Sequence, residues 1–187
     1  MTRLLGVDLG ERRIGLAVAD RDGGRAIAHS TLTRKPTPAA DAAALGPIIR
    51  DQDVDELVVG LPLHAGGSEG SQAAITRQWA AAVALILGLP LTFRDERLTS
   101  HLAEQRVGPM KRGRSGGPPT RAQRETHRAR VDREAAAIIL QDELDARAAA
   151  TTEPRDPAPT SSPATHANGD TESAVRADAD DHVERTQ

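Results

Sequence analysis

The sequence predicts an α/β fold in which a mixed, five-stranded sheet carries helices on both faces. Three short apolar runs separated by turn residues open the chain, a pattern typical of consecutive antiparallel strands. From about residue 37 onward, helical segments alternate with apolar runs, which indicates β-α-β units and parallel strands. The predicted sheet is therefore antiparallel in its first part and parallel in its second.

The first three strands are predicted over residues 3–9, 14–19 and 25–32. The polar link at 10–13 joins the first two and fits a β-hairpin. Thr37 and Pro38 combine a good N-cap with proline at the first helical position. They predict a helix that runs to about Arg50.

The next segments predict a buried strand and a second helix. Residues 56–63 form a continuous apolar run, which is typical of a strand covered on both faces. Ser68 is predicted to cap a helix that runs to about Leu87. The stretch 66–68 fits either an anion site at the start of that helix or a plain loop.

The last body segments complete the fold. A fifth strand is predicted over residues 91–96, then a short helix over 99–107 and a loop over 108–119. Thr120 and Gln123 have capping-box spacing ahead of a long helix to about Ala148. This order of elements is the one found in the ribonuclease H-like fold.

Charge is unevenly distributed between the body of the chain and its C-terminal segment. Residues 151–187 carry eight acidic and three basic residues and almost no large apolar side chain. Such a segment cannot bury enough surface to offset the entropy lost on ordering. We predict a folded domain over residues 1–150 and a disordered acidic tail over residues 151–187.

Composition excludes several classes of protein. The chain has no cysteine, which rules out disulfides, thiolate metal sites and a cysteine nucleophile. Its apolar runs are too short for a membrane span and its start lacks the pattern of a signal peptide, so we expect a cytoplasmic protein without a membrane partner. Phe93 and Trp79 are the only aromatic residues, which excludes base stacking on an aromatic platform.

Asp8 is the first candidate for chemistry, because it interrupts an otherwise apolar strand. Alternation places Leu4, Gly6 and Asp8 on one face of that strand. A buried acid is costly unless it is paired or binds a cation. In the hairpin just beyond, either Arg12 or Arg13 is a candidate for a phosphate contact.

Two further acids are expected near Asp8. Adjacent strand residues point to opposite faces, so only one of Asp95 and Glu96 can join Asp8, and strand parity alone does not settle which. The other acid is expected to pair with an arginine or to cap the next helix. Asp132 lies on the apolar stripe of the last helix and is expected at the edge of the core, facing the strand ends. The remaining acids of that helix, Glu143 among them, are predicted to face solvent.

Three carboxylates that converge at one strand end form a site of oxygen ligands. Such ligands, without histidine or cysteine, suit Mg²⁺ or Mn²⁺ rather than zinc. Cations in such a site activate water and stabilise a leaving oxygen, so the site suits hydrolysis of phosphodiesters.

A basic segment lies beside the predicted site. Residues 106–133 carry nine basic and two acidic residues. This charge favours nucleic acid as the partner, bound through its phosphates, and the alternative is a solvated basic helix in an arginine-rich chain. The basic residues are Arg106, Lys111, Arg112, Arg114, Arg121, Arg124, Arg128, Arg130 and Arg133.

Four segments stand out as motifs: GVDLGERRIGLAVAD at 6–20, VVGLPLHAGGSEG at 58–70, RDERLTS at 94–100 and VDREAAAIILQDEL at 131–144. In this order they resemble the YqgF (RuvX) family of bacterial proteins, which are similar to Holliday-junction resolvases and are assigned to pre-16S rRNA processing. The resemblance covers roughly residues 3–147. It implies a ribonuclease H-like fold, a cytoplasmic location and a role in maturation of ribosomal RNA.

The resemblance also implies roles for individual residues. Carried over by position, the catalytic and metal-binding acids are Asp8, Glu96 and Asp132, which selects Glu96 over Asp95. Arg97 and Thr99 come with them as active-site neighbours. Together with the charge pattern, this gives a set of predicted nucleic-acid contacts: Arg12, Arg97, Thr99, Lys111, Arg112, Arg114 and Arg121.

One motif departs from the family pattern. At His64 and Gly66 the family usually has asparagine and aspartate, so the resemblance does not extend to a substrate contact by that loop.

The favoured function is a metal-dependent nuclease that uses Mg²⁺ or Mn²⁺ and acts on precursor rRNA. Branched DNA is the other candidate substrate, and both a monomer and a homodimer are compatible with the sequence. A catalytically weak nucleic-acid-binding regulator of the same fold is the main alternative. An actin-like kinase, suggested by DLGERRIG at 8–15, needs a second phosphate loop and a second domain, which about 150 ordered residues do not supply.

Overall fold

The computed structural model describes residues 2–21, 24–64, 66–97, 99–110 and 117–152. Within these ranges the chain forms five strands and four helices, in the predicted order. They are β1 (Arg3–Leu9), β2 (Arg13–Asp20), β3 (Ile27–Thr33), α1 (Pro38–Asp51), β4 (Val54–Leu61), α2 (Ser71–Leu87), β5 (Leu91–Asp95), α3 (Thr99–Val107) and α4 (Arg121–Thr152).

The five strands form a single sheet in the order β3-β2-β1-β4-β5. β2 pairs antiparallel with both β1 and β3, whereas β4 pairs parallel with both β1 and β5. The predicted mixed sheet is therefore confirmed. Because β1 and β4 lie in the middle, their ends are the places where side chains from several elements meet.

Alternation along β1 divides its side chains between two layers of the core. Leu5 and Val7 pack with residues of α1 and α2 on one face of the sheet. Leu4 packs on the other face with Leu140 of α4. Asp8 follows the parity of Leu4, which places its carboxylate on the side of the sheet that α4 covers.

Two glycines let α4 lie almost directly on the backbone of the sheet. A Cβ atom on Gly15 would lie 2.1 Å from the carbonyl oxygen of Asp132, and one on Gly6 would lie 2.7 Å from that of Ala136. Gly15 is the sheet partner of Asp8 in the β1–β2 ladder. The contact therefore fixes the backbone of Asp132 beside Asp8.

The C-terminal half of α4 is held by ion pairs that are largely buried. Arg147 donates to Glu56 Oε2 at 3.0 Å and to Glu143 Oε1 at 2.7 Å, and Arg94 lies 3.5 Å from Glu143. Glu143 is buried, so the prediction that it faces solvent is wrong. Its position next to the apolar stripe is tolerated because two arginines compensate its charge.

The predicted helix caps at Thr37 and Thr120 are confirmed. The Thr37 hydroxyl accepts from the backbone N–H of Ala40 at 3.2 Å. The N–H of Thr120 donates to Gln123 Oε1 at 2.8 Å, and the N–H of Gln123 donates back to the Thr120 hydroxyl at 3.2 Å. This reciprocal pair is the capping box that starts α4.

The predicted start of α2 is wrong. The helix begins at Ser71 with Gly70 as its N-cap, and Ser68 belongs to the preceding loop. There its carbonyl accepts from the N–H of His64 at 2.9 Å, and Leu63 bridges to Glu69. These backbone bonds close the loop before the helix starts, so residues 66–68 are not a helix N-terminus.

Some predictions fall outside the described residues. Lys111, Arg112 and Arg114 belong to the undescribed stretch 111–116, and almost all of the predicted tail belongs to 153–187. The division into a domain over 1–150 and a tail stays a prediction, although α4 continues to Thr152. Within the described part, no helix is long and apolar enough to cross a membrane.

The contact at Gly15 is testable by Gly15→Ala. The added methyl would overlap the backbone of α4, which cannot withdraw as a flexible side chain would, so the free energy of unfolding should fall by about 1–3 kcal/mol. Urea denaturation measures this change. Gly66→Ala is the matched control, since a Cβ at Gly66 has no neighbour within 4 Å. Equal stability of the two variants would contradict the close contact.

Candidate active site

Asp8 lies near the carboxyl end of β1, in a site that provides it with no hydrogen-bond donor among the described residues. It is half-buried, and α4 covers its side of the sheet. Burial and the neighbouring charge of Asp132 raise the pKa of Asp8 to about 7, against the opposing effect of Arg13. An ionised carboxyl group in this environment destabilises the folded state, which makes Asp8 a candidate for a catalytic or ligand-binding role.

Glu96 directly follows β5 and shares the parity of Thr92 and Arg94, which bond to Glu56 and α4. Its carboxylate lies over Gly60 of β4, where a Cβ atom would lie only 2.3 Å from Glu96 Oε2. Burial and the charges of Asp8 and Asp95 raise the pKa of Glu96 to about 8. The structure thus places Glu96 close enough to Asp8 for the charge of Asp8 to act on it.

Asp95 takes the other of the two roles that the sequence left open. Its carboxylate accepts from the backbone N–H of Arg97 at 3.0 Å and from Arg97 Nε at 2.6 Å. The prediction that the second acid of this pair binds an arginine is confirmed. This local pairing stabilises the turn from β5 into α3.

Asp132 is not left free to act with the other two acids. The Arg13 guanidinium forms a salt bridge with it, in which Nε contacts one carboxylate oxygen and Nη2 lies 3.5 Å from the other. The side chains of Arg13 and Asp132 are 29% and 20% exposed, so the pair is at the rim of the core and has access to solvent. Asp132 and Asp8 together raise the pKa of the Arg13 guanidinium, chiefly through the bond to Asp132.

Sequence reasoning left Arg12 and Arg13 unresolved and carried Arg12 into the predicted contacts, yet Arg13 is the arginine at the acidic cluster. Arg12 is exposed and lies in the turn. Arg13 shares the parity of Gly15 along β2, and Gly15 faces α4. Strand alternation therefore puts Arg13 on the face of Gly15, but only the contact of α4 with Gly15 shows that this face lies at the acids.

The remaining predicted contacts lie around the acids rather than among them. Arg97 and Thr99 line an open groove of about 900 Å³ beside β5 that none of the three acids lines. Thr99 is buried, and its N–H donates to the Glu96 carbonyl at 3.0 Å. Arg121 is exposed and pairs with Glu125 at 2.9 Å. His64 is exposed and lies against Gly70, which has no room for a Cβ atom beside the imidazole.

The donor chemistry of Asp8, Glu96 and Asp132 fits a hard divalent cation, because all three are carboxylates and two of them have pKa values raised by burial and by neighbouring acids. Among the described residues, however, no three acidic or histidine side chains are already arranged around one point. Asp132 is the member that is paired elsewhere.

A mixed sheet of three antiparallel and two parallel strands, with acids at the carboxyl ends of β1 and β5 under a long helix, defines a ribonuclease H-like protein with an acidic site. The model of the family described as "RuvX: Holliday junction resolvase" matches residues 2–146. The chain belongs to this family, and the resemblance seen in its motifs is confirmed.

Curated relatives agree with the family. A protein of Anaeromyxobacter dehalogenans (strain 2CP-1) named "Putative pre-16S rRNA nuclease" is 47% identical over 146 residues, which cover 78% of this chain and 98% of the relative. One of the same name from Synechococcus sp. is 43% identical over 141 residues, covering 75% and 87%. Among solved structures, Thermus thermophilus RuvC in complex with a Holliday junction substrate is similar at 17% identity and a TM-score of 0.46, covering 79% of this chain and 96% of that one.

The crowded carboxyls predict how the stability of the metal-free protein depends on pH. Asp8 and Glu96 have folded-state pKa values of about 7 and 8, above their ordinary 3.8 and 4.5. The folded state therefore binds their protons more tightly than the unfolded state does, and stability falls as pH rises from about 4 to about 8. Melting temperatures in EDTA between pH 5 and 8.5 should fall for the wild type and fall less for Asp8→Asn.

Glu11→Gln is the matched control, because Glu11 is an exposed acid in the adjacent turn. It should keep the wild-type profile. An Asp8→Asn profile as steep as that of the wild type would show that Asp8 does not carry the effect.

Proposed function

We propose that this protein is a metal-dependent nuclease that hydrolyses phosphodiester bonds in nucleic acid. The observation that carries the proposal is the pair of coupled carboxyls, Asp8 and Glu96, which the fold brings together without hydrogen-bond donors from described residues. A fold that only needed stability would compensate such groups, as it does for Glu143 with two arginines. Acids that are left without a direct ion pair in this way favour a cationic ligand.

The residues that would hold the cation are Asp8, Glu96 and Asp132, and Mg²⁺ or Mn²⁺ is the type of ion that they suit. The chemistry that such a bound cation supplies is stabilisation of charge on the phosphate and activation of water. Because Asp8 and Glu96 bind protons near neutral pH, their carboxyl oxygens must release protons before they act as ligands. Metal loading is therefore expected to improve as pH rises.

The N-terminal part of α4 is the proposed nucleic-acid interface. The first buried residue of this helix is Ala135, and Arg124 and Arg128 before it are exposed. The hydroxyl of Thr31 donates to the Ala129 carbonyl at 2.7 Å and ties this part of the helix to the edge strand β3. Glu125 lies close enough to Arg13 for its charge to raise the Arg13 pKa. The exposed arginines therefore continue directly from the acids along one helix.

We favour a precursor of 16S rRNA as the substrate, because that is what the names of the curated relatives state. With this substrate we propose a cytoplasmic location. Branched DNA is the second candidate, and the description of the family model favours it. Both are polyanions that the same arginines would bind through phosphates.

The proposal is tested by cleavage assays on a 5′-extended 16S precursor and on a four-way DNA junction, each with Mg²⁺ or Mn²⁺. Asp8→Asn and Glu96→Gln should each lower the cleavage rate by more than the roughly 10–100-fold that loss of an outer-shell partner costs. Asp95→Asn is the matched control, because Asp95 binds Arg97 and should chiefly affect stability. The preferred substrate is the one cleaved with the higher kcat/KM.

Wild-type protein that cleaves neither substrate with either ion, while binding both, would favour the regulator over the nuclease. Folded Asp8→Asn protein that cleaves at the wild-type rate would remove Asp8 from the site.

The interface is tested by Arg124→Gln and Arg128→Gln. If each arginine contacts a phosphate, each substitution should weaken binding on all sequences and lower the slope of log affinity against log salt concentration by about 1. Fluorescence anisotropy with a labelled oligonucleotide at several salt concentrations measures both effects. Arg50→Gln is the control, since Arg50 is an exposed arginine in the layer on the other side of the sheet. An equal loss in all three variants would indicate an effect of net charge alone.

A further inference from the structure

We propose that Arg13 is a built-in counter-cation of the acidic site, which holds Asp132 when no metal ion is present and exchanges it for a phosphate of the nucleic acid when metal binds. The inference rests on the proposed function, because it concerns the same acids. It assigns a role to Arg13 and couples metal binding to nucleic-acid binding, and the nuclease assignment contains neither.

The position of the Arg13 guanidinium makes it a competitor of a metal ion. It contacts both oxygens of Asp132, and its charge also acts on Asp8, whose pKa it lowers. A single side chain therefore neutralises part of the cluster that a divalent cation would neutralise. Arg13 and a metal ion are competitors for the same carboxylate.

The backbone of Asp132 is fixed, so the residue as a whole cannot move away from Arg13. The backbone carbonyl of Asp132 packs against Gly15, and a Cβ atom on Gly15 would lie 2.1 Å from its oxygen. The helix is also fixed further along by the bonds of Arg147 to Glu56 and Glu143. Since the backbone of Asp132 is held on the sheet, its short side chain has little reach, and movement of the longer Arg13 side chain is the way in which the carboxylate changes its ligand.

The Arg13 side chain can move toward solvent when it releases Asp132. It is the first residue of β2, next to the exposed turn residue Arg12, and its side chain is 29% exposed. A guanidinium released from Asp132 retains its charge and its fork of N–H donors, which match two oxygens of a phosphate. The exposed arginines of α4 follow on the same side, so the released side chain joins the proposed path of the phosphate backbone.

This exchange makes metal and nucleic acid cooperative. Metal that takes Asp132 frees Arg13 for phosphate, and phosphate that takes Arg13 frees Asp132 for metal. By linkage, each ligand then raises the affinity of the protein for the other by the same factor.

The test is Mn²⁺ binding to the full-length protein without nucleic acid, followed by the electron paramagnetic resonance signal of free Mn²⁺. Arg13→Gln should bind Mn²⁺ about five-fold more tightly than the wild type, because it removes the competing ion pair. Arg50→Gln removes the same charge from an exposed position of α1, on the other side of the sheet, and should bind as the wild type does. The metal-free melting temperature should fall more in Arg13→Gln than in Arg50→Gln.

A second readout concerns cooperativity. Saturating oligonucleotide should tighten Mn²⁺ binding in the wild type and in Arg50→Gln, and should do so less in Arg13→Gln. If Arg13→Gln does not fold, as judged by circular dichroism, Arg13→Lys provides the test. It keeps the charge but loses the bidentate contact, and its Mn²⁺ affinity should exceed that of the wild type.

The failures are distinguishable. Mn²⁺ affinity in Arg13→Gln that equals or falls below that of Arg50→Gln overturns the exchange, while the nuclease assignment stands if Asp8→Asn abolishes binding. Wild-type protein that binds no Mn²⁺, or that binds it as Asp8→Asn does, overturns the metal site and the exchange with it.

Discussion

The close contact between α4 and the backbone of the sheet is the constraint on which the rest of the structure depends. Gly15 and Gly6 allow a helix to lie where side chains would normally separate it from the strands. That contact aligns the apolar stripe of α4 with the sheet and sets Asp132 beside Asp8. The core and the acidic site are therefore consequences of one packing arrangement rather than two independent features.

The acids packed against the two parts of α4 differ in how their charge is compensated. Toward its C-terminus, Glu56 and Glu143 are compensated by Arg147 and Arg94, and the hydrogen bonds lower the pKa of Glu56. At the level of Asp8, burial and crowding raise pKa values instead. The ionised acids near Asp8 therefore destabilise the folded protein. The ion pairs further along α4 hold the helix on the sheet despite this cost.

Much of the fold was predictable because it depends on local patterns. Period-2 alternation, the Thr37 cap and the Thr120–Gln123 capping box are properties of short stretches of sequence, and the structure contains all of them. The start of α2 was not, since it depends on backbone bonds that close the preceding loop. The burial of Glu143 depends on arginines from β5 and from the next turn of its helix, and sequence spacing does not show how these partners meet.

The acidic site was partly predictable for the same reason. Asp8 stands out in its strand without any knowledge of its neighbours. Choosing between Asp95 and Glu96 required the register of β5 against α4, and the residues alone left it open. Arg13 was missed because its partner is 119 positions away, and only the helix contact at Gly15 brings the two together.

The turn between β1 and β2 acquires a particular importance from the pairing of Asp8 with Gly15. Only three residues separate the two strands, so the turn length sets which residue of β2 lies opposite Asp8. Adding or removing one residue there would shift the β2 register by one and turn every side chain of the strand to the other face. Ile14 or Leu16 would then lie under α4, and the guanidinium of Arg13 would point toward α1 and α2. The length of this turn thus determines the geometry of the proposed active site as much as the identity of the acids does.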